Sequence, residues 1–165
     1  MILASIFQTW TLQRAVTLAA TLACSAFLAT FAASPARADH CDDIARQLSE
    51  TIDGLKVNFK AGNIIYLTHP AATELSLGCH GDQYANELYA KTDRKIRPAF
   101  YDLVGSAAAV IFTLPKDDTV TGTSRCLKRL GILRKKADMR YRRLDMECTR
   151  TKADASIAVR RGLNQ

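Results

Sequence analysis

Cysteines stand at positions 41, 79, 126 and 148, with a fifth at 24. Whether they can crosslink depends on the compartment, and the residues upstream of Cys41 speak to that. From Ala15 to Ala33 the chain is apolar or small throughout, Arg14 flanks it, and Pro35 ends any helix before Ala36-x-Ala38. Positive flank, apolar run and small residues at the end are the order of a secretory signal. The sequence therefore predicts a signal peptide over 1–38, cleaved after Ala38, and a mature chain that begins Asp39-His40-Cys41.

Two other readings fit the same segment. The apolar run is 19 residues long, close to the roughly 20 that span a bilayer, so an uncleaved N-terminal anchor is one alternative. The other is a lipoprotein processed at Cys24, although Thr21 occupies the place where such signals carry an aliphatic residue. All three send residues 39–165 out of the cytoplasm. The expected location is periplasmic or secreted, in a bacterium, with membrane contact only through the N-terminal segment if it is retained or lipidated at Cys24.

In that setting the four remaining cysteines read as two disulfides, for which three connectivities exist. The expected pairs are Cys41–Cys79 and Cys126–Cys148, each joining an inward-facing position to a neighbouring element. A zinc site fits poorly, because there is no CxxC and His40, His69 and His80 are scattered. Nor is there a CxxCH for haem. No metal and no cofactor is expected.

Periodicity supplies the elements. Cys41, Ile44, Ala45, Leu48 and Ile52 recur as one helical face, with Asp39 as its cap. Leu55, Val57 and Phe59 alternate with Lys56, Asn58 and Lys60, the pattern of a half-buried strand, and residues 55–69 read as a hairpin. A third strand ends near Cys79, and residues 83–92 fit either a short helix or an edge strand. Pro98 opens an apolar helix through Phe100, Leu103, Val104, Ala107, Val110, Ile111 and Leu114. Residues 115–123 read as a polar loop containing Asp117 and Asp118. Ser124 caps a short basic helix with Cys126, Leu127, Leu130 and Leu133 inward. The segment 139–148 reads as one strand broken by a bulge at Arg142-Arg143, and it pairs with a last strand near 155–161. The sum is a single α+β domain over 39–165: an antiparallel sheet of about five strands, covered on one face by two or three helices and stabilised by disulfides.

Charge is unevenly spread. Residues 39–124 hold 8 Lys/Arg against 12 Asp/Glu, whereas residues 125–165 hold 13 against 4. Asymmetry of this kind suits contact with an anionic surface. The candidate binding residues are Lys128, Arg129, Lys135, Lys136, Arg140, Arg142 and Arg160. An anionic envelope polymer, a lipid headgroup or an acidic protein would answer to them; nucleic acid is not an expected partner outside the cytoplasm.

Catalytic signatures are sparse. There is no GxSxG, HExxH or Walker A pattern. The candidate constellation is His69, His80 and Asp82 with Tyr66, since a histidine beside an acid can serve as a general base. The leading expectation is a small exported binding domain with a basic C-terminal region. The alternatives are a small hydrolase or other enzyme using His69 and His80, and an envelope structural component tethered through its N-terminus.

Overall fold

The computed structural model describes residues 36–80, 85–131 and 134–162. Residues 1–35 of the signal-like segment, Asp82 and Leu133 lie outside them. The elements run α1 (Ala36–Thr51), β1 (Lys56–Ala61), β2 (Ile64–His69), β3 (Ala72–His80), β4 (Ala85–Asp93), α2 (Pro98–Phe112), α3 (Lys116–Lys128), β5 (Lys136–Tyr141), β6 (Leu144–Arg150) and β7 (Asp154–Arg161). Among the described residues no helix is long and apolar enough to cross a membrane.

All seven strands form one antiparallel sheet in the order β1-β2-β3-β4-β7-β6-β5. Two meanders, β1–β4 and β5–β7, meet where β4 pairs with β7, and the α2–α3 hairpin carries the chain between them. Alternate residues face one side and are buried there: Ile65 and Leu67, Leu75 and Leu77, Leu88 and Ala90, Met146 and Cys148, Ile157 and Val159. Against that side pack Cys41, Ile44, Ala45 and Leu48 of α1, Phe100, Leu103, Val104 and Ala107 of α2, and Cys126 and Leu127 of α3. The opposite residues of each strand form an open face.

Both expected disulfides are present. Cys41–Cys79 ties α1 to β3, and Cys126–Cys148 ties α3 to β6, with Cα atoms 6.4 and 6.0 Å apart. Their occurrence places the domain in an oxidising compartment.

Several expectations are corrected. Among the described residues the sheet has seven strands, not about five. Residues 85–93 are neither a helix nor an edge but the central strand β4, whose inward residues Leu88 and Ala90 are fully buried. The segment read as one bulged strand is a hairpin: Tyr141 pairs with Leu144 across Arg142-Arg143, and Arg142 takes a left-handed φ of 57°. Two-residue hairpin turns need such a backbone, and it is normally signalled by Gly or Asn. The polar loop is the front of α3, where Asp117 and Asp118 sit in the first turn, beside the positive end of the helix dipole. Its inward residues there are Thr119, Gly122 and Thr123. Thr119 keeps its buried hydroxyl satisfied by bonding to carbonyls, 2.7 Å to that of Gly105 and 2.8 Å to that of Lys116.

Helix coverage also differs. Every residue of β1 is exposed, so the helices do not roof this edge, and Val57 and Phe59 stand in solvent rather than in the core. The register shifts here, between Val57 and Phe59, and again between Leu67 and His69 in the β2–β3 pair. Finally, α1 begins at Ala36, so Asp39 lies inside the helix of the full chain rather than at its cap. Gly54, at φ 79°, then makes the left-handed turn into β1.

Candidate functional site

The two histidines do not share a site. β2 and β3 are antiparallel, and His69 closes their hairpin opposite Ala72. His80 ends β3 opposite Ala85, beyond the level at which Ile64 pairs with Gly78. That places the two on the order of 20 Å apart along the strands. His69 is also engaged at both ring nitrogens. Its Nδ1 accepts the Ala71 amide at 3.0 Å, so in the neutral ring Nε2 carries the proton, which it donates to the Asp53 carbonyl at 3.1 Å. The ring ties the β2–β3 turn to the turn after α1. Tyr66 lies in the middle of β2 on the open face, away from both turns. The constellation expected from the sequence is therefore not assembled, and its Asp82 lies outside the described residues.

The seven basic candidates separate into three places. Lys128 and Arg129 end α3, and Arg134 and Lys135 lead into β5; the Gly131 amide donates to the Arg134 carbonyl at 3.1 Å. All four are exposed, and among the described residues none has a carboxylate within ion-pair distance. Arg142 sits in the β5–β6 turn, 3.3 Å from Asp118 of α3, so it does not share a strand face with Arg140.

Lys136, Arg140 and Arg160 do share the open face, because β5, β6 and β7 pair in register. There they interlock with acids on neighbouring strands. Lys136 reaches Glu147 at 2.7 Å, Arg140 reaches Asp145 at 3.6 Å, and Arg160 spans Glu147 at 3.4 Å and Glu87 at 3.7 Å. Cross-strand pairing of opposite charges stabilises the sheet modestly and neutralises this part of the basic excess. The hydrogen bond from Lys136, with its charge and that of Arg160, holds the Glu147 carboxyl below its ordinary value of 4.5, against a smaller opposing effect of burial. The same bond raises Lys136 above 10.5.

These shifts give a signed pH dependence. A carboxyl depressed in the fold adds stability that is complete above 4.5 and is lost as pH falls through the folded value. Glu147→Gln is therefore expected to flatten the acid limb of the melting-temperature curve and to leave its slope between pH 6 and 8 unchanged, by about 1 kcal/mol at most for so exposed a group. Calorimetric melts from the acid limb up to pH 8 check it; an acid limb of unchanged steepness would show that Glu147 carries no linkage.

Sequence reading missed the other end of the open face. Phe59 and Tyr66, directly opposite on β1 and β2, stack with ring centroids 4.5 Å apart. They flank a groove of about 400 Å³ that extends to Ser76 and Tyr89. The signal was present in the alternation of β1, but alternation does not say which face is covered.

Among the described residues, fold and surfaces together define a disulfide-tied α+β domain, with helices on one side of a seven-stranded antiparallel sheet, an open face on the other, and β1 and β5 as the sheet's end strands. No family model, curated protein or solved structure matches this chain.

Proposed function

We propose that this chain is an exported binding domain whose C-terminal cations meet an anionic partner outside the cytoplasm. The observation that carries the reading is the contrast between two sets of cations. Those of the open face are matched by acids, whereas Lys128, Arg129, Arg134 and Lys135 crowd one connection with no such match among the described residues. Like charges held together by the fold repel one another, and an incoming anion relieves that repulsion. Binding of this kind weakens as salt shortens the Debye length. The disulfides support an oxidising compartment, and the apolar segment with Ala36-x-Ala38 supports export by signal cleavage to a periplasmic or secreted form.

The test is charge reversal of three of these residues, Lys128→Glu, Arg129→Glu and Lys135→Glu, in one variant. The probes are polyglutamate and vesicles of phosphatidylglycerol in phosphatidylcholine. Native protein is expected to bind at least one of them at low salt, and the variant to bind it about tenfold or more weakly, a difference of roughly 1.4 kcal/mol. Reversal of Lys56, on the far edge, serves as the control. If the native protein binds neither probe, or the variant binds as well, the proposal falls. Intact mass of the exported protein gives the N-terminus: a start at Asp39 agrees, whereas Cys24 or Met1 would make it a membrane-held form.

A further inference from the structure

We infer that the anionic partner is an extended acidic segment of another polypeptide, added to the sheet as a strand along the outer edge of β5; this rests on the reading that the C-terminal cations bind an anion. The hydrogen-bond pattern leaves that edge open. The Arg150 amide donates to the Lys135 carbonyl at 2.8 Å, which fixes the ladder phase: Lys135, Ala137, Met139 and Tyr141 turn their amides and carbonyls toward β6. Lys136, Asp138 and Arg140 therefore direct theirs outward, and β5 is the last strand of the sheet in the described chain. A regular edge of this kind is a template for strand addition.

The two edges of the sheet differ in the way that matters for docking. β1 is interrupted by its bulge between Val57 and Phe59, a device that discourages strand addition. β5 pairs with β6 without a break from Lys136 to Tyr141. Charge then selects the occupant. Along β5 and its two flanks stand Arg134, Lys135, Lys136, Arg140, Arg142 and Arg143, with Asp138 as the one acid among them. Lys136, Arg140 and Arg142 already meet Glu147, Asp145 and Asp118, so the charge left for a partner is that of Arg134, Lys135 and Arg143 at the two ends of the strand. A second copy of this edge fits badly. Antiparallel pairing about Met139 would set Asp138 against Arg140, but also Lys136 of one copy against Arg142 of the other, and Lys135 against Arg143. An acidic strand meets a like charge only at Asp138, against cations at both ends of β5. On the helix side Met139 and Tyr141 are half-buried at the margin of the core, so the docked segment is expected to alternate: acids over the open face, apolar residues beside Met139 and Tyr141.

The probe is an acetylated, amidated peptide of alternating Glu and Val, titrated into the mature domain. In antiparallel docking its Glu residues lie opposite Lys136, Asp138 and Arg140, so the Glu amides face β5 and the Val amides face solvent. Methylating the Glu amides is expected to weaken binding about tenfold or more, and methylating the Val amides to leave it within about twofold. Asp138→Pro, which removes an outward amide that the sheet does not use, is expected to weaken the unmodified peptide to the same degree; its melting temperature and circular dichroism verify folding, and the methylated peptides carry the test if it does not fold. Equal affinity of both methylated peptides overturns strand addition while the anion-binding reading stands. Capture of phosphatidylglycerol vesicles without peptide binding does the same in favour of a lipid surface. A dimer in sedimentation that the peptide cannot dissociate would give the edge to a second copy and likewise overturn it. Binding of neither peptide, polyglutamate nor vesicle overturns the underlying reading itself.

Discussion

Replacing Cys126 and Cys148 together by alanine is expected to lower stability by about 3 kcal/mol and the melting temperature by about 10 °C, with larger loss when Cys41–Cys79 is removed as well. The bonds close loops with sequence separations of 22 and 38. In the chain-entropy model these are worth about 3.4 and about 3.9 kcal/mol. Their sum is of the same order as the whole stability of an ordinary domain, about 5–15 kcal/mol. Full reduction should therefore leave the chain largely unfolded at 37 °C, as judged by far-ultraviolet dichroism.

The order of reduction follows from burial. Cys126 and Cys148 are both fully buried between α3 and β6, while Cys79 is only partly buried and Cys41 is 6 % exposed. Thiolate attack needs access to a sulfur, so mild reductant is expected to open Cys41–Cys79 first. Mass spectrometry of alkylated peptides along a reduction time course reads this directly. Opening of Cys126–Cys148 first would mean that the α3–β6 contact breathes more readily than the α1–β3 contact, and would contradict the packing described above.

The parts of the fold that sequence makes legible are those in which hydrophobic periodicity and burial coincide. The face of α1 and the apolar run of α2 were readable because Leu48, Phe100, Leu103 and Val104 are large, apolar and in the core. Both disulfides were readable because their cysteines fall on such faces. Periodicity fails where small or polar residues do the packing. Thr119, Gly122 and Thr123 form the inward side of α3 and look like a loop in one dimension; of the described side chains of β4, only Leu88, Ala90 and Thr92 are buried. It fails again at Arg142, where an arginine occupies the left-handed turn position that glycine usually marks.

Surface residues were harder still. A net charge can be counted along the chain, but whether a cation is neutralised depends on strand register. Lys136 and Glu147 are eleven apart in sequence and 2.7 Å apart in space. Lys128 and Lys135, in the same stretch, find no acid among the described residues. No local pattern separates the two cases. The histidines show the converse: neighbouring strands suggested proximity, but antiparallel direction sent His69 and His80 to opposite ends.

The close crossing of α2 and α3 sets the second large effect. Gly105 packs against Val120 so tightly that an added Cβ would run into the Val120 Cγ2 and lie 2.8 Å from the Val120 Cα and 2.9 Å from its nitrogen. The last two are backbone atoms, so no rotamer change can fully relieve the clash; the helices must separate. Separation would also stretch the 2.7 Å bond by which the Thr119 hydroxyl reaches the Gly105 carbonyl. Alanine in a helix interior is intrinsically better than glycine by about 1 kcal/mol. Overpacking costs about 1–3 kcal/mol in typical cores, and a backbone clash belongs at the upper end. Gly105→Ala is therefore expected to destabilise the domain by about 2 kcal/mol net, and Gly105→Val by more, since a branched side chain adds bulk and loses the propensity gain. Truncating the neighbour in Val120→Ala should rescue Gly105→Ala only in part, because it removes the Cγ2 contact and leaves the backbone atoms in place. Gly122 is the internal comparison. Its added Cβ would meet the Tyr141 ring edge at 2.7 Å and the Met146 methyl at 2.9 Å, and side chains can shift where backbone cannot. Gly122→Ala is expected to cost clearly less than Gly105→Ala in the same denaturant titration. Equal costs at the two glycines, or full rescue by Val120→Ala, would show that side-chain crowding rather than backbone approach governs the α2–α3 contact.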